Sequence, residues 1–417
     1  MRRLFFFAAT ACLSGACGSA GSAGGGGTSV GNGNSPASNA AVATVDSGPA
    51  ASPGNVDTLF VDVTVCAPGT SLCQTVDHVQ VDTGSSGFRV LAEALGKGVS
   101  SSQLQQAADG NGKPLVECMQ FADGYSWGPV KLADLKIGGK TAASVPIQVI
   151  GDPAFSSRSI PRACSSFVDV PESTLGELGV NGILGIGNFL QDCGSFCASG
   201  AQDGSVYNVC PSSTAPACQP AAVALPQQVQ NPASLFADDN NGVVIRLPAV
   251  PSPGAATASG SLIFGVDTQS DNALGKATVY ALDGEGNLGT TVAGLRTFGS
   301  SFIDSGSNAY FFDDSALQPC SGGNASFYCP PGSIAFHANI DGLNGASGAV
   351  AFTVDNAASD FNTQASAIPN LAGSAGGGLG SDTFDWGLPF FFGRPVYVVF
   401  EGKTASGSAL PGPYLAF

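Results

Sequence analysis

Two short loops of the same kind constrain the fold of this chain more than any other feature. The first is Val81-Asp82-Thr83-Gly84-Ser85, and the second, Ile303-Asp304-Ser305-Gly306-Ser307, begins 222 residues later. In each loop an aspartate ends an apolar run, a small hydroxyl residue and a glycine follow, and apolar residues then return. Two copies about half a chain apart predict two similar lobes that bring the aspartates together.

The composition predicts an all-β fold. The 417 residues include 58 glycines and 26 prolines, while only 11% are charged. Long exposed helices need more Lys, Glu and Arg than this, so we expect many short strands joined by tight turns. A chain of this length can bury the cores of two domains.

Charge and histidine content exclude several classes of function. The net charge of −16 argues against a nucleic-acid partner, which a basic surface would attract. With only His78 and His337, a His-rich metal site or a Ser-His-Asp triad is disfavoured. We therefore expect no metal and no cofactor, and we separately expect a monomer.

The cysteines indicate disulfides. Ten of the 12 lie beyond the N-terminal segment, and an even number in an exported chain favours pairing. Cys66 with Cys73, and Cys320 with Cys329, are close enough in sequence to close small loops. The sequence leaves the other pairings open, and a zinc site is an alternative for one set: Cys193, Cys197, Cys210 and Cys218.

The N-terminus has the pattern of an export signal. Met1-Arg2-Arg3 is basic, Leu4 to Leu13 is apolar, and small residues precede Cys17. Residues 1–17 resemble a bacterial lipoprotein signal, in which Cys17 would be lipidated; cleavage without lipid is the alternative. Residues 18–40 are rich in Gly, Ser, Ala and Asn and predict a flexible linker. The expected location is the bacterial cell envelope, with lipid anchoring to the outer membrane facing the periplasm or the surface.

The remainder divides into two lobes, each of which contains one loop. We expect an N-terminal lobe over residues 41–230, with a Cys-rich insertion at 192–220, and a C-terminal lobe over 231–417. A third triplet of the type Asp-Ser/Thr-Gly begins at Asp46, but Pro49 and Pro53 interrupt any strand after it. We interpret Asp46 as the end of a first strand.

The aspartate pair suggests hydrolytic chemistry. Two carboxyl groups in near contact cannot both ionise, so Asp82 and Asp304 would share a proton. One could then take a proton from water while the other donates one to a carbonyl oxygen. The supporting residues of the loops are Thr83, Gly84, Ser85, Ser305, Gly306 and Ser307. The alternative is two unrelated turns, because Asp-Ser-Gly is common turn chemistry.

Both loops resemble those of the pepsin-like aspartic peptidases. Phe121-Ala122-Asp123-Gly124-Tyr125 is similar to the flap hairpin that closes over substrate in that family. Gly182-Ile183-Leu184-Gly185 and the weaker copy Phe384-Asp385-Trp386-Gly387 resemble the segments behind the two aspartates. The whole pattern also resembles an uncharacterised family of bacterial envelope proteins, a domain of unknown function. The resemblance implies a bilobal double-barrel fold with a cleft between the lobes.

Two functions follow from this resemblance. The first is an aspartic-type endopeptidase in which Asp82 and Asp304 are catalytic and Phe121, Asp123, Gly124 and Tyr125 form the substrate flap. The second is a weakly active or inactive module that binds peptide or glycan. The sequence departs from the family at three places: Phe121 replaces the flap tyrosine, Arg89 the supporting tryptophan, and Asn308 a small hydroxyl residue. A structural lipoprotein with two accidental turns is a third alternative.

Overall fold

The computed structural model describes residues 39–155, 160–201, 206–210, 218–376 and 380–417. The predicted signal 1–17, with Cys17, and most of the predicted linker lie outside the described residues. Asn39 and Ala40, at the end of that linker, are placed in the fold. Ala40 begins the first strand, and the Asn39 amide donates to the Phe264 carbonyl at 3.1 Å.

The fold consists of short strands with three short helices among the described residues. In the first half of the chain the strands are β1 (Ala40–Val45), β2 (Leu59–Cys66), β3 (Cys73–Asp82), β4 (Ser86–Leu91), β5 (Gln105–Gln106), β6 (Leu115–Gln120), β7 (Tyr125–Ile137), β8 (Lys140–Ile150), β9 (Gly182–Ile186), β10 (Tyr207–Val209) and β11 (Gln219–Pro220). In the second half they are β12 (Gly242–Arg246), β13 (Ala258–Phe264), β14 (Val279–Ala281), β15 (Leu288–Val292), β16 (Arg296–Ile303), β17 (Tyr310–Phe312), β18 (Ile334–Asp341), β19 (Ser347–Val354), β20 (Ala372–Gly373), β21 (Phe384–Trp386), β22 (Pro395–Val399) and β23 (Tyr414–Ala416). The helices are α1 (Leu175–Leu178), α2 (Ser195–Ser199) and α3 (Ala357–Phe361). Within these residues no helix is long and apolar enough to cross a membrane.

The strands form two sheets, and the all-β bilobal prediction is confirmed. The larger sheet has the order β11-β10-β6-β7-β8-β4-β9-β3-β2-β1-β13-β12-β22-β23-β14, with β5 beside β7. The smaller sheet has the order β19-β18-β15-β16-β21-β17-β20. The larger sheet joins the lobes because β1 pairs along its length with β13 of the second half.

Alternating apolar residues explain the strands. In β2, Val61, Val63 and Val65 are buried, whereas Asp62 between them is exposed. This period of two places one face on the core. In the C-terminal lobe the core is aromatic: the rings of Phe312 and Phe384 stack with centroids 4.8 Å apart.

Five disulfides are formed among the described residues. The two predicted pairs, Cys66–Cys73 and Cys320–Cys329, are present. The pairs that the sequence left open are Cys118–Cys164, Cys193–Cys197 and Cys210–Cys218. The four cysteines of the insertion are therefore bonded to one another and are not zinc ligands.

Asp46, which begins the third triplet of this type, lies at the end of the first strand, as predicted. β1 ends at Val45, and the Asp46 carboxylate accepts the Gly48 amide at 2.8 Å. The residues after the triplet, and not the triplet itself, distinguish Asp46 from the two loop aspartates. Prolines follow Asp46, whereas apolar residues follow Asp82 and Asp304.

Candidate active site

Asp82 and Asp304 lie at the ends of equivalent strands. β3 delivers Asp82 and β16 ends one residue before Asp304. Behind the first, β9 inserts between β3 and β4 and places Gly185 opposite Asp82. Behind the second, β21 inserts between β16 and β17. Each glycine-containing segment thus packs behind an aspartate, as the resemblance implied.

Glycine is required where the two loops meet. A Cβ at Gly84 would lie 2.6 Å from the carboxyl carbon of Asp304, closer than any real contact. The Gly84 amide donates to Oδ1 of Asp82 at 2.8 Å and to Oδ1 of Asp304 at 3.0 Å. One N–H therefore holds the inner oxygens of both carboxyl groups together.

The outer oxygens are held by the serines of the loops. Ser85 donates its hydroxyl to Oδ2 of Asp82. Ser307 does the same for Oδ2 of Asp304, at 3.0 Å, and the Gly306 amide donates to Oδ1 of Asp304 at 2.7 Å. Backbone amides and serine hydroxyls thus donate to both oxygens of each carboxyl group and hold the two groups in place.

Thr83 and Ser305 lock the two loops by reciprocal hydrogen bonds. The Thr83 hydroxyl donates to the Ile303 carbonyl at 3.1 Å and accepts the Ser305 amide at 2.9 Å. The Ser305 hydroxyl donates to the Val81 carbonyl at 2.8 Å and accepts the Thr83 amide at 3.2 Å. This exchange brings the aspartates together from positions 222 residues apart.

Burial and mutual repulsion make the pair share a proton. Both side chains are almost completely shielded from solvent. Burial raises the pKa of Asp82 well above its usual value, and the charge of Asp304 raises it further. Burial also raises the pKa of Asp304, but the hydrogen bonds from Asp82, Gly306, Ser307 and Gly84 oppose that rise. The pair therefore shares one proton and carries one negative charge between its two members.

A cleft between the lobes reaches this pair. Its volume is about 410 Å³, and Gly84, Ser85 and Asp304 form part of its lining. Its walls come from both halves of the chain: Asn188 and Asp192 from one, Glu285, Asn287 and Asp382 from the other. No lysine or arginine is among the described residues that line it, whereas Asp192, Glu285, Asp304 and Asp382 are, so this lining is acidic.

The predicted flap is a tight hairpin. β6 and β7 pair up to Gln120 and Tyr125, and the Phe121 amide donates to the Gly124 carbonyl at 2.7 Å. Phe121 is fully buried in an apolar cluster with Phe60 and Ile183. Tyr125 instead packs in the cluster around the Cys118–Cys164 and Cys210–Cys218 disulfides, away from the cluster of Phe121.

The flap is braced by a neighbouring segment. Cys118–Cys164 links β6 to residues 160–172, and the Tyr125 amide donates to the Val170 carbonyl at 2.9 Å. At the tip, Asp123 lies beside Glu172. Burial raises the pKa of Glu172 to about 10, and the charge and hydrogen bond of Asp123 add to that rise.

Arg89 is buried next to the first loop. Its Nη2 donates to Glu117 Oε1 at 2.6 Å and to Asp192 Oδ2 at 3.3 Å. Tyr207 donates to Asp192 at 2.8 Å on the other side. Arg89 is thus part of a buried network that includes a strand of the flap hairpin.

Sequence reasoning placed Asp385 in the segment behind the second aspartate without giving its side chain a role, and it did not identify Glu172 or the partners of Arg89 as parts of the site. Asp385 is fully buried next to the loop of Asp304. Aligning the two repeats would have found it, because it takes the place of Ile183. Nothing in the sequence signals that Glu172 or Asp192 would reach the flap.

Comparison with known proteins supports the fold. The structure of an aspartic proteinase from Irpex lacteus superposes with a TM-score of 0.51 and 16% identity. The superposition covers 90% of this chain and 96% of that chain. At this identity the likeness shows a pepsin-like fold. Among curated proteins no sequence match is found.

A family model extends over nearly all of the described chain. It matches residues 35–417, a range that contains both loops, the flap and the cleft. The chain therefore belongs to the family described as protein of unknown function (DUF3443), and within it has a pepsin-like fold.

Proposed function

We propose that this protein hydrolyses peptide bonds as an aspartic-type endopeptidase, with Asp82 and Asp304 as its catalytic residues. The observation that carries the proposal is the Gly84 amide, which donates to Oδ1 of both carboxyl groups within 3.0 Å. Inner oxygens that converge on one donor can hold a single water between them. Accidental turns would not be locked by the reciprocal bonds of Thr83 and Ser305.

We assign the chemical roles from the donors that each carboxyl group accepts, which are three on Asp304 and two on Asp82. Asp304, the ionised partner, takes a proton from the bound water, whose oxygen attacks the peptide carbonyl carbon. Asp82, the protonated partner, donates its proton to the carbonyl oxygen. The tetrahedral intermediate collapses when the proton held by Asp304 passes to the departing nitrogen and Asp82 recovers its own from the hydroxyl. General acid–base catalysis of this kind uses only the pair and water.

The test is cleavage of denatured protein from acid to neutral pH. Wild type should cut, a statin-type transition-state analogue should inhibit, and both Asp82→Asn and Asp304→Asn should lose at least about a hundredfold in kcat/KM. Asp46→Asn is the matched control, since it alters the third Asp-Ser-Gly triplet outside the cleft and preserves its turn. Full activity in Asp82→Asn would refute the proposal.

A second candidate is a binding module without turnover. Phe121 supplies no hydroxyl and is buried with Phe60 and Ile183. In addition, Ala122 at the flap tip packs against the apolar cluster of the C-terminal lobe around Phe311. A flap hairpin that packs against both lobes would enclose a bound peptide or glycan tightly. Analogue binding to wild type in calorimetry, together with absence of cleavage at every pH, would support this candidate.

We also propose an envelope location, which rests on the sequence of residues 1–17 and the linker after it. Cys17 would carry lipid and tether the lobes to the membrane. Expression in a bacterial host with labelled fatty acid should label wild type, and Cys17→Ser should abolish the label. Label on the Cys17→Ser protein would refute lipidation at this residue.

A further inference from the structure

The side chain of Arg89 folds back onto the loop that carries Asp82. Its Nη1 donates to the carbonyl of Ser86 at 3.0 Å and to that of Gly87 at 3.5 Å. The guanidinium is fully buried, so its N–H groups depend on acceptors inside the protein. The two carbonyls therefore hold the guanidinium, and the guanidinium holds the backbone of the loop.

Gly87 allows this close approach. Its φ is +107°, and a Cβ there would lie 2.5 Å from Cγ1 of Val229 and 3.4 Å from Nη1 of Arg89. A side chain at this position would strain the backbone and would collide with Val229. The backbone at Gly87 therefore lies against both Val229 and Arg89.

The same guanidinium contacts the flap hairpin and the wall of the cleft. Its Nη2 donates to Oε1 of Glu117 on β6 at 2.6 Å and to Oδ2 of Asp192 at 3.3 Å. Asp192 is part of the cleft lining. Its carboxyl group also accepts the Tyr207 hydroxyl at 2.8 Å, and the oxygen of that hydroxyl accepts the Val229 amide at 2.7 Å. One side chain therefore connects three parts of the candidate site: the loop of Asp82, a flap strand and the cleft wall.

Arginine is suited to these contacts by its shape. A guanidinium is planar, stays protonated and presents its donors in several directions. Nη1 of Arg89 donates to the loop carbonyls, while Nη2 donates to the two carboxyl groups. A lysine ammonium concentrates its donors on one atom, so it cannot keep both sets of contacts at these distances.

Ser85 connects these contacts to the carboxyl pair. It immediately precedes the anchored carbonyls, and its hydroxyl donates to Oδ2 of Asp82. A Cβ at Gly185 would lie 2.6 Å from that hydroxyl oxygen, so β9 packs directly against it. Burial and the charge of Asp304 raise the pKa of Asp82, and the Ser85 hydroxyl is the strongest of the hydrogen bonds that lower it. The position of Ser85 therefore affects the first ionisation of the pair.

We propose that Arg89 is a positioning residue of the carboxyl pair, which anchors the backbone after Ser85 to the cleft wall and the flap hairpin and so keeps the Ser85 hydroxyl on Asp82. The inference rests on the proposed function insofar as Asp82 is a reacting group. Without Arg89 the loop carbonyls lose a donor and Ser85 moves. The charged form of the pair is then less well stabilised, and its ionisation requires a higher pH.

A triple variant separates this role from stability. Arg89→Met with Glu117→Gln and Asp192→Asn removes the guanidinium without leaving its ion-pair partner charged. Burial raises the pKa of Asp192 well above its usual value, and the charge of Glu117 adds to the rise, so Asp192 is neutral in acid. The triple variant therefore removes one cation and one anion and leaves the net charge near the pair unchanged. It also keeps the other ionisable groups that act on Asp82 or on Arg89, which are Asp304, Asp385 and Tyr207.

The pH profile of kcat/KM is the first readout. Because the pair loses the Ser85 donor, the acid limb in the triple variant should move to higher pH by about one unit. Arg89→Lys, which keeps a cation beside Glu117, should move it in the same direction. Asp192→Asn alone changes only the cleft wall and should leave the acid limb in place. An acid limb that the triple variant leaves unmoved overturns the proposal.

Lys140→Met is the control for the loss of an ion pair. Lys140 lies 2.6 Å from Asp238, and neither residue is part of the cleft lining. The substitution should lower the urea midpoint and leave the acid limb unchanged. Equal shifts in Lys140→Met and in the triple variant would show a general effect of destabilisation and would also overturn the proposal.

Hydrogen exchange gives a second readout that does not depend on activity. In the triple variant the amides of residues 84–88 should exchange about tenfold faster, while those of β18 and β19 in the other lobe keep their wild-type rates. Unchanged exchange at residues 84–88 overturns the proposal. If wild type cleaves nothing while the exchange result holds, the proposed function fails and the anchoring of the loop by Arg89 stands.

Discussion

Arg89 and Glu117 form an ion pair in which neither side chain is exposed to solvent, with Nη2 and Oε1 2.6 Å apart. Arg89 lies on β4, immediately after the loop of Asp82, and Glu117 lies on β6, the first strand of the flap. The pair therefore connects the base of the flap hairpin to the loop of Asp82.

Arg89→Met should destabilise the protein strongly. It leaves Glu117 and Asp192 buried without their cation, and breaking a buried pair from one side typically costs about 3–5 kcal/mol. The free energy of unfolding in urea measures the effect. The triple variant Arg89→Met, Glu117→Gln, Asp192→Asn removes the ion pair together with the neighbouring carboxyl group and should recover most of the loss. Equal stability of the single and triple variants would show that the charges do not interact as described.

Gly84→Ala should separate the two carboxyl groups. Its Cβ would fall 2.6 Å from Asp304, so the loops must move apart. We expect loss of transition-state-analogue binding and a destabilisation of about 1–3 kcal/mol, as for overpacking in a core. Calorimetry and urea unfolding measure these effects. Gly110→Ala is the control, because a Cβ there meets nothing within 4 Å. Unchanged analogue binding in Gly84→Ala would contradict the site geometry.

Stability should fall as pH rises. Burial raises the pKa of Asp57 and of Asp385 well above the usual value, and raises the pKa of Asp360 to about 6, with the charge of Asp355 adding to the last. Unfolded aspartates titrate near about pH 4, so above that pH the native state binds more protons than the unfolded state. The stabilisation is thus complete below the unfolded pKa and is lost as pH increases toward the folded pKa values.

The urea midpoint measured across the pH range checks this. It should be highest in acid and decline through neutral pH. Asp360→Asn should flatten the curve between about pH 4 and the folded pKa of about 6. A midpoint that increases steadily from acid to neutral pH would mean that these carboxyl groups are ionised in the native protein.

Removing the Cys118–Cys164 disulfide should loosen the flap. The bond spans 46 residues, so its loss through Cys118→Ser with Cys164→Ser should cost about 4 kcal/mol by chain entropy. Hydrogen exchange should also accelerate at residues 119–125. Cys66→Ser with Cys73→Ser is the comparison, since that bond spans only 7 residues and should cost about 2 kcal/mol without affecting the flap. Unchanged exchange at the hairpin would show that the disulfide does not brace it.

The sequence by itself determined the fold class and the two aspartates. Strand periodicity, turn residues and the repeated loop are local patterns, and they fix which residues end a strand and turn sharply. The same kind of pattern separated Asp46 from Asp82, because prolines follow one and apolar residues the other. Two of the five disulfides among the described residues could be predicted in the same way, because the two cysteines of each pair lie close together in the sequence.

Only the tertiary structure decided what surrounds the pair. Arg89 meets Glu117 across 28 residues and Asp192 across 103, and no periodic pattern records a contact at that range. The environment of Asp385 has the same origin. In sequence it is one acid between two aromatic residues, and its neutral state depends on the burial and neighbouring charges that folding creates. Electrostatic interactions depend on the distance between two groups in space. They can therefore be assessed only once the folded structure shows which groups lie close together.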